Sequence, residues 1–167
     1  MKYKLLRFSL LGIFAMLWGT VFADEVTPEV TLDFTTNDCW EIPSGNTNAV
    51  KEEAKTYTCN DYTITLYASS ATGFYFNNNY LMLGKTGSYV QLPEFDFDVE
   101  RIDVVGTSGA SEKVKQNIYV DDVTVSTETT GAKNVTNTYL IASDYQAAGT
   151  IYRLQVTSNA NTQISIA

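Results

Sequence analysis

Tyr62-Thr63-Ile64-Thr65-Leu66-Tyr67 alternates strictly. In an extended chain successive side chains point to opposite faces. Tyr62, Ile64 and Leu66 therefore share one face, and Thr63 and Thr65 share the other. One apolar and one polar face predict a half-buried antiparallel strand. The same pattern recurs on both sides of this stretch. Val30, Leu32 and Phe34 alternate with Thr31, Asp33 and Thr35. Ile118 and Val120 alternate with Asn117 and Tyr119, and Tyr152, Leu154 and Val156 with Arg153, Gln155 and Thr157. Thr, Tyr, Val, Ile and Phe dominate these runs, and such side chains pack well on a pleated surface.

The punctuation between the runs is that of turns. Asn77-Asn78-Asn79 divides Phe74-Tyr75-Phe76 from Tyr80-Leu81-Met82-Leu83 and predicts a hairpin. Asp121-Asp122 predicts a tight turn or bulge that keeps Val120, Val123 and Val125 on the core side. Residues 84–88, 106–111 and 128–133 read as further turns or loops. Alternation predicts about ten short strands and no long helix. Lys51 to Lys55 has room for one helical turn. Many short strands in one domain predict an all-β fold, an antiparallel two-sheet β-sandwich. Its expected core is Leu32, Phe34, Ile64, Leu66, Phe76, Leu83, Leu92, Ile102, Val104, Ile118, Val120, Leu154, Val156 and Ile164.

The first 23 residues read differently. Lys2, Lys4 and Arg7 make a positive start, Leu10 to Trp18 is apolar, and Val21-Phe22-Ala23 resembles a signal-peptidase site. The apolar run falls short of the about 20 residues a membrane span needs. Residues 1–23 are therefore expected to be a cleaved signal peptide, with one domain at 24–167 and a loose lead-in at 24–29. Asp24 follows the cut where a lipoprotein would carry cysteine. The expected protein is secreted, periplasmic or at the cell surface, neither cytoplasmic nor a lipoprotein. No membrane insertion is expected after cleavage.

Removing Lys2, Lys4 and Arg7 leaves eight basic against nineteen acidic residues, a formal charge of −11. So acidic a body repels nucleic acid and anionic membrane surfaces. Cys39 and Cys59 form an even pair, which in an exported chain reads as one disulfide.

The chain contains no histidine. That removes serine–histidine and cysteine–histidine nucleophile pairs and histidine-ligated zinc. Two-carboxylate hydrolysis needs only a spaced acid and base, and Glu41, Glu94 and Asp121 are candidates that nothing singles out. The expected protein is not an enzyme and requires no cofactor. Glu94, Asp96, Asp98 and Glu100 interleave with Phe95, Phe97 and Val99. If extended, this row is either a solvated acidic edge or a calcium site through Asp96 and Asp98. Asp121 and Asp122 are the second calcium candidates, with a simple turn as the alternative.

Sugar recognition combines flat apolar faces with polar side chains at the rim of a pocket. Tyr75, Tyr80, Tyr89 and Tyr119 are strand tyrosines that can face outward. The most specific binding expectation is a platform of Tyr75 and Tyr80 beside Asn77 and Asn78. Trp40, next to Cys39, either joins such a surface or packs under the sheet.

Several stretches occur in a familiar order: LDFTTNDCWEIPSG (32–45), YTITLYA (62–68), YLMLGKTGSYVQLPEFD (80–96), VERIDVVGTSGAS (99–111), NIYVDDVTVSTETTGA (117–132) and YQAAGTIYRLQVTSNANTQISIA (145–167). Together they resemble secreted β-sandwich domains in surface and exported proteins of gut Bacteroidetes. Those domains are similar to the galactose-binding-like jelly rolls that also house many carbohydrate-binding modules. The resemblance implies a jelly-roll sandwich and a non-catalytic module that binds a glycan. A structural or adhesive protein acting through a cell-surface protein partner is the alternative, and a small carbohydrate-active enzyme a third reading. The resemblance transfers no site residues.

Overall fold

The computed structural model describes residues 30–69, 71–106, 114–130 and 135–167. The expected signal peptide and lead-in lie outside these residues. Among the described residues the chain forms twelve strands. They are β1 (Lys55–Cys59), β2 (Tyr62–Tyr67), β3 (Tyr75–Asn77), β4 (Tyr80–Leu83), β5 (Tyr89–Gln91) and β6 (Arg101–Gly106). There follow β7 (Lys115–Val120), β8 (Val123–Thr124), β9 (Thr129–Thr130), β10 (Thr136–Leu140), β11 (Tyr152–Val156) and β12 (Thr162–Ile166). Two single 3-10 turns, Asn46–Asn48 and Ser143–Tyr145, are the helical elements among the described residues. No helix there is long and apolar enough to cross a membrane.

The strands build the two antiparallel sheets of a sandwich. One sheet has seven strands, ordered β1-β2-β5-β11-β7-β8 with β9 also on β7; the other has five, ordered β10-β6-β12-β4-β3. The last two strands in chain order take central places, β11 between β5 and β7 and β12 between β6 and β4. Neither sheet is complete until this segment has docked, so the fold rests on contacts distant in sequence.

Three tight hairpins share one device. Asn60, Asn78 and Asp121 each open a two-residue turn with positive φ, 53°, 55° and 53° respectively. Asn and Asp tolerate this left-handed conformation better than other side chains. These turns set the registers Cys59↔Tyr62, Asn77↔Tyr80 and Val120↔Val123.

The expected core residues are buried between the sheets, except that Val120 is only partly buried. Val123 departs further. It is 47% exposed, in two-residue β8 at the margin of the sheet. Val125 is buried and ties the sheets together. Its N–H donates to Ile118 in one sheet, and its carbonyl accepts from Ala142 beyond the end of β10 in the other. Leu32 and Phe34 form an extended segment instead of a named strand, bonded through backbone groups to Ala167 and Ser165.

The Cys39–Cys59 disulfide forms, with the two Cα atoms 5.2 Å apart. It fastens the turn before Trp40 to the end of β1. Inside the sandwich a polar chain also links the sheets. Thr129 donates to the Tyr139 hydroxyl at 2.6 Å, Tyr139 donates to Gln116 Oε1 at 3.1 Å, and Gln116 Nε2 donates to Thr162. Each of these groups has a partner, as burial demands.

Candidate binding face on the seven-stranded sheet

The side chains of this sheet that do not enter the core line up by register. Thr65 pairs with Gln91, Gln91 with Arg153, Arg153 with Tyr119, and Tyr119 with Thr124. A second row runs Tyr67, Tyr89, Gln155 and Asn117. Their strand neighbours Ile64, Leu66, Val90, Leu154 and Ile118 are buried, so both rows lie on the outer face.

The rows hold a ladder of stacked groups. The rings of Tyr67 and Tyr89 stack with centroids 5.4 Å apart and planes inclined by 26°. The Arg153 guanidinium lies over the Tyr89 ring, 5.4 Å from its centre. Arg153 also meets the Asp122 carboxylate at 3.1 Å. The arginine side chain is only 22% exposed, whereas Asp122 is fully exposed. The charged head is thus held against the aromatic ring, while its partner Asp122 stands in solvent.

Threonines flank the ladder. On β1 and β2, Thr56 faces Thr65 with hydroxyls 3.3 Å apart, and Thr58 faces Thr63 at 2.9 Å. At the other end an open depression of about 340 Å³ is lined by Gln91, Asp121, Asp122, Ile151 and Arg153. Hydroxyls, a carboxamide, a guanidinium, two carboxylates and two stacked phenols therefore share one surface.

The platform expected from Tyr75, Tyr80, Asn77 and Asn78 takes another shape. The hairpin is present, but Tyr75 is only 9% exposed. Burial, with a smaller contribution from neighbouring Tyr80, raises its phenol above the ordinary tyrosine range. Asn77 donates its side-chain amide to the Tyr80 hydroxyl, so these polar groups satisfy each other. Asn78 occupies the turn. Tyr75 pairs with buried Met82 across the strands, and Tyr80 is half-buried.

Trp40 takes the core position. It is 5% exposed, its ring stacks on Phe34 at 5.4 Å, and its indole N–H donates to the Asp33 carbonyl at 2.8 Å. Burying both the ring and its one donor leaves nothing for a ligand.

The carboxylates do not converge. Residues 92–100 form an irregular segment instead of a strand, although the acids are exposed and Val99 is buried as the alternation implied. Asp98 accepts the Ala148 N–H at 3.0 Å, and Asp122 pairs with Arg153. Asp121 holds the left-handed turn position. Among the described residues, no group of three or more His, Cys, Asp or Glu is arranged to hold a metal ion.

The outer face brings together residues that the expected platform left out. Tyr89 and Tyr119 were legible as outward strand tyrosines. Tyr67, Gln91 and Arg153 were not singled out, although Arg153 and Thr65 fall on the polar side of their own alternations. Comparison with known proteins adds no analogue: no family model, curated protein or solved structure matches the chain.

Proposed function

We propose that this chain is an exported, non-catalytic glycan-binding module whose ligand lies on the outer face of the seven-stranded sheet. The observation that supports this reading is the Tyr67–Tyr89–Arg153 ladder. Its side chains are already ordered by stacking, so little conformational freedom is lost when a ligand docks. Tyr67 is the ladder's terminal ring, and beyond β2 the sheet carries only β1, whose Thr56 and Thr58 stand opposite Thr65 and Thr63. An aromatic ring at the end of such a ladder can take the apolar face of a sugar. Threonine hydroxyls and Gln91 stand within the same rows to meet its polar groups.

Export accords with the disulfide, a bond that persists in oxidising compartments. The jelly-roll resemblance of the sequence points the same way.

The test is a broad glycan array followed by calorimetry on each hit, using the wild type and Tyr67→Ala. Binding that weakens about tenfold in the variant, with the fold intact, supports the reading. Flat isotherms across all glycans, with and without calcium, would remove it. Release of sugar from mixed polysaccharides would replace it with an enzyme. Mass analysis of exported protein tests the leader, with Asp24 expected as the first residue.

A further inference from the structure

We infer that the depression between the β7–β8 turn and β11 is a subsite for an uncharged sugar with neighbouring hydroxyls, and that it discriminates against acidic glycans. The inference rests on the glycan reading above and names its ligand class. The chemistry follows from the five lining residues. Asp121 and Asp122 carry carboxylates that only accept hydrogen bonds, Arg153 only donates, and Gln91 does both. A sugar hydroxyl donates and accepts. Two adjacent hydroxyls can therefore donate to a carboxylate on one side while accepting from the guanidinium or carboxamide on the other.

The cross-strand register holds the donors together, since Gln91 and Arg153 are direct partners on β5 and β11. The acceptors arrive on the two-residue turn between β7 and β8. Ile151, 42% exposed, supplies the apolar wall that the C–H face of a sugar requires. A volume of about 340 Å³ lies at the small end of ligand pockets, enough for a short terminal unit.

Charge decides the class. A uronate or sulfate would meet two carboxylates at the rim, and the one arginine is already paired with Asp122 at 3.1 Å. Like charges at close range repel. A neutral ligand keeps the Arg153–Asp122 pair and adds hydrogen bonds to its unused lone pairs and N–H groups. Charge-assisted hydrogen bonds of this sort are stronger than neutral ones.

The experiment compares neutral oligosaccharides with oligogalacturonate and sulfated oligosaccharides by calorimetry at low and at physiological salt. It uses the wild type, Asp122→Ala and Gln91→Ala. Asp122 is fully exposed, so its variant is expected to fold, which a thermal melt verifies. Binding of a neutral oligosaccharide that weakens about tenfold in Asp122→Ala, and also falls in Gln91→Ala, is the expected result. Tighter binding of an acidic glycan than of any neutral one overturns the inference and leaves the glycan reading standing. So does a neutral ligand bound equally well by the wild type and both variants. Failure of every glycan overturns both.

Discussion

The Arg153 guanidinium lies 5.4 Å from the centre of the Tyr89 ring, and Tyr67 stacks on the same ring from the strand on its other side. The three side chains come from β11, β5 and β2, which are far apart in sequence and adjacent in the sheet. Each holds the next in place. A surface so ordered contributes to stability as well as to the binding proposed for it.

Tyr89→Ala removes both contacts of the middle ring. An aromatic pair is worth about 0.5–1.5 kcal/mol and an exposed cation–π contact about 0.5–1 kcal/mol, so the expected loss is about 1–2.5 kcal/mol. For a body of this size that lowers the melting temperature by roughly 2–10 °C. Glycan affinity should fall further than stability does, because Tyr67 and Arg153 both lose their support. Thermal melts beside calorimetry read the two effects separately.

Alkaline pH should destabilise the fold through Tyr139. Burial is the main cause that pushes its phenol up to about 12, against an ordinary value of 10.0. The folded state thus holds the proton more tightly than the unfolded state. The stabilisation is complete below pH 10 and is lost as pH rises from about 10 through about 12. At one pKa unit per 1.36 kcal/mol, the loss is roughly 3 kcal/mol at most. Tyr57, Tyr75 and Tyr152 are also raised, chiefly by burial, and add to the same trend. In Tyr139→Phe the pH dependence should flatten without vanishing. At neutral pH that variant should lose about 1–3 kcal/mol, because Gln116 keeps a buried acceptor without its donor. Urea melts from pH 7 to 12 measure both effects.

Two glycines with similar φ should respond differently to alanine. Gly73 has φ +75°, and a Cβ there would stand 2.6 Å from the Val50 carbonyl oxygen and 2.9 Å from the Ala49 Cβ. Gly45 has φ +77° with nothing within 4 Å. Gly45→Ala should cost only the backbone penalty of φ 77° with ψ 152°, a region reached almost only by glycine, about 1–3 kcal/mol. Gly73→Ala should cost more, since the backbone bonds between Phe74 and Val50 must shift to make room. Equal melting temperatures for the two variants would contradict this.

Replacing Cys39 and Cys59 together by serine should destabilise the fold by about 3 kcal/mol, mainly by releasing the unfolded chain from a closed loop of this length. The bond lies at one edge of the seven-stranded sheet, away from the ladder. Glycan affinity measured well below the melting temperature should therefore be unchanged. A change in affinity would show that the turn before Trp40 communicates with the binding face.

The strands were legible where alternation is strict. Ile64, Leu66, Leu154 and Val156 were placed on the core side, and they are buried. The Asn77-Asn78-Asn79 hairpin and the Asp121-Asp122 turn were legible because Asn and Asp suit left-handed turn positions. Tyr75 departs from the outward platform for a physical reason. Its neighbour Phe76 enters the core, so Tyr75 lies on the opposite face of the sheet, yet it is also covered. Local pattern tells which way a side chain points and not what lies above it. Glu94, Asp96, Asp98 and Glu100 show the converse: the acids are exposed as their spacing implies, without any strand beneath them.

The amino-acid order alone determined a β-rich chain with an even cysteine pair, most of its core, its hairpin turns and its lack of histidine chemistry. These follow from period, turn propensity and side-chain chemistry, all of them local. Only the tertiary structure decided that β2, β5 and β11 stand side by side, and so that Tyr67, Tyr89 and Arg153 stack. Strand order within a sheet depends on which distant segments pair, and alternation is silent about that because every strand of a sandwich presents the same two-faced pattern.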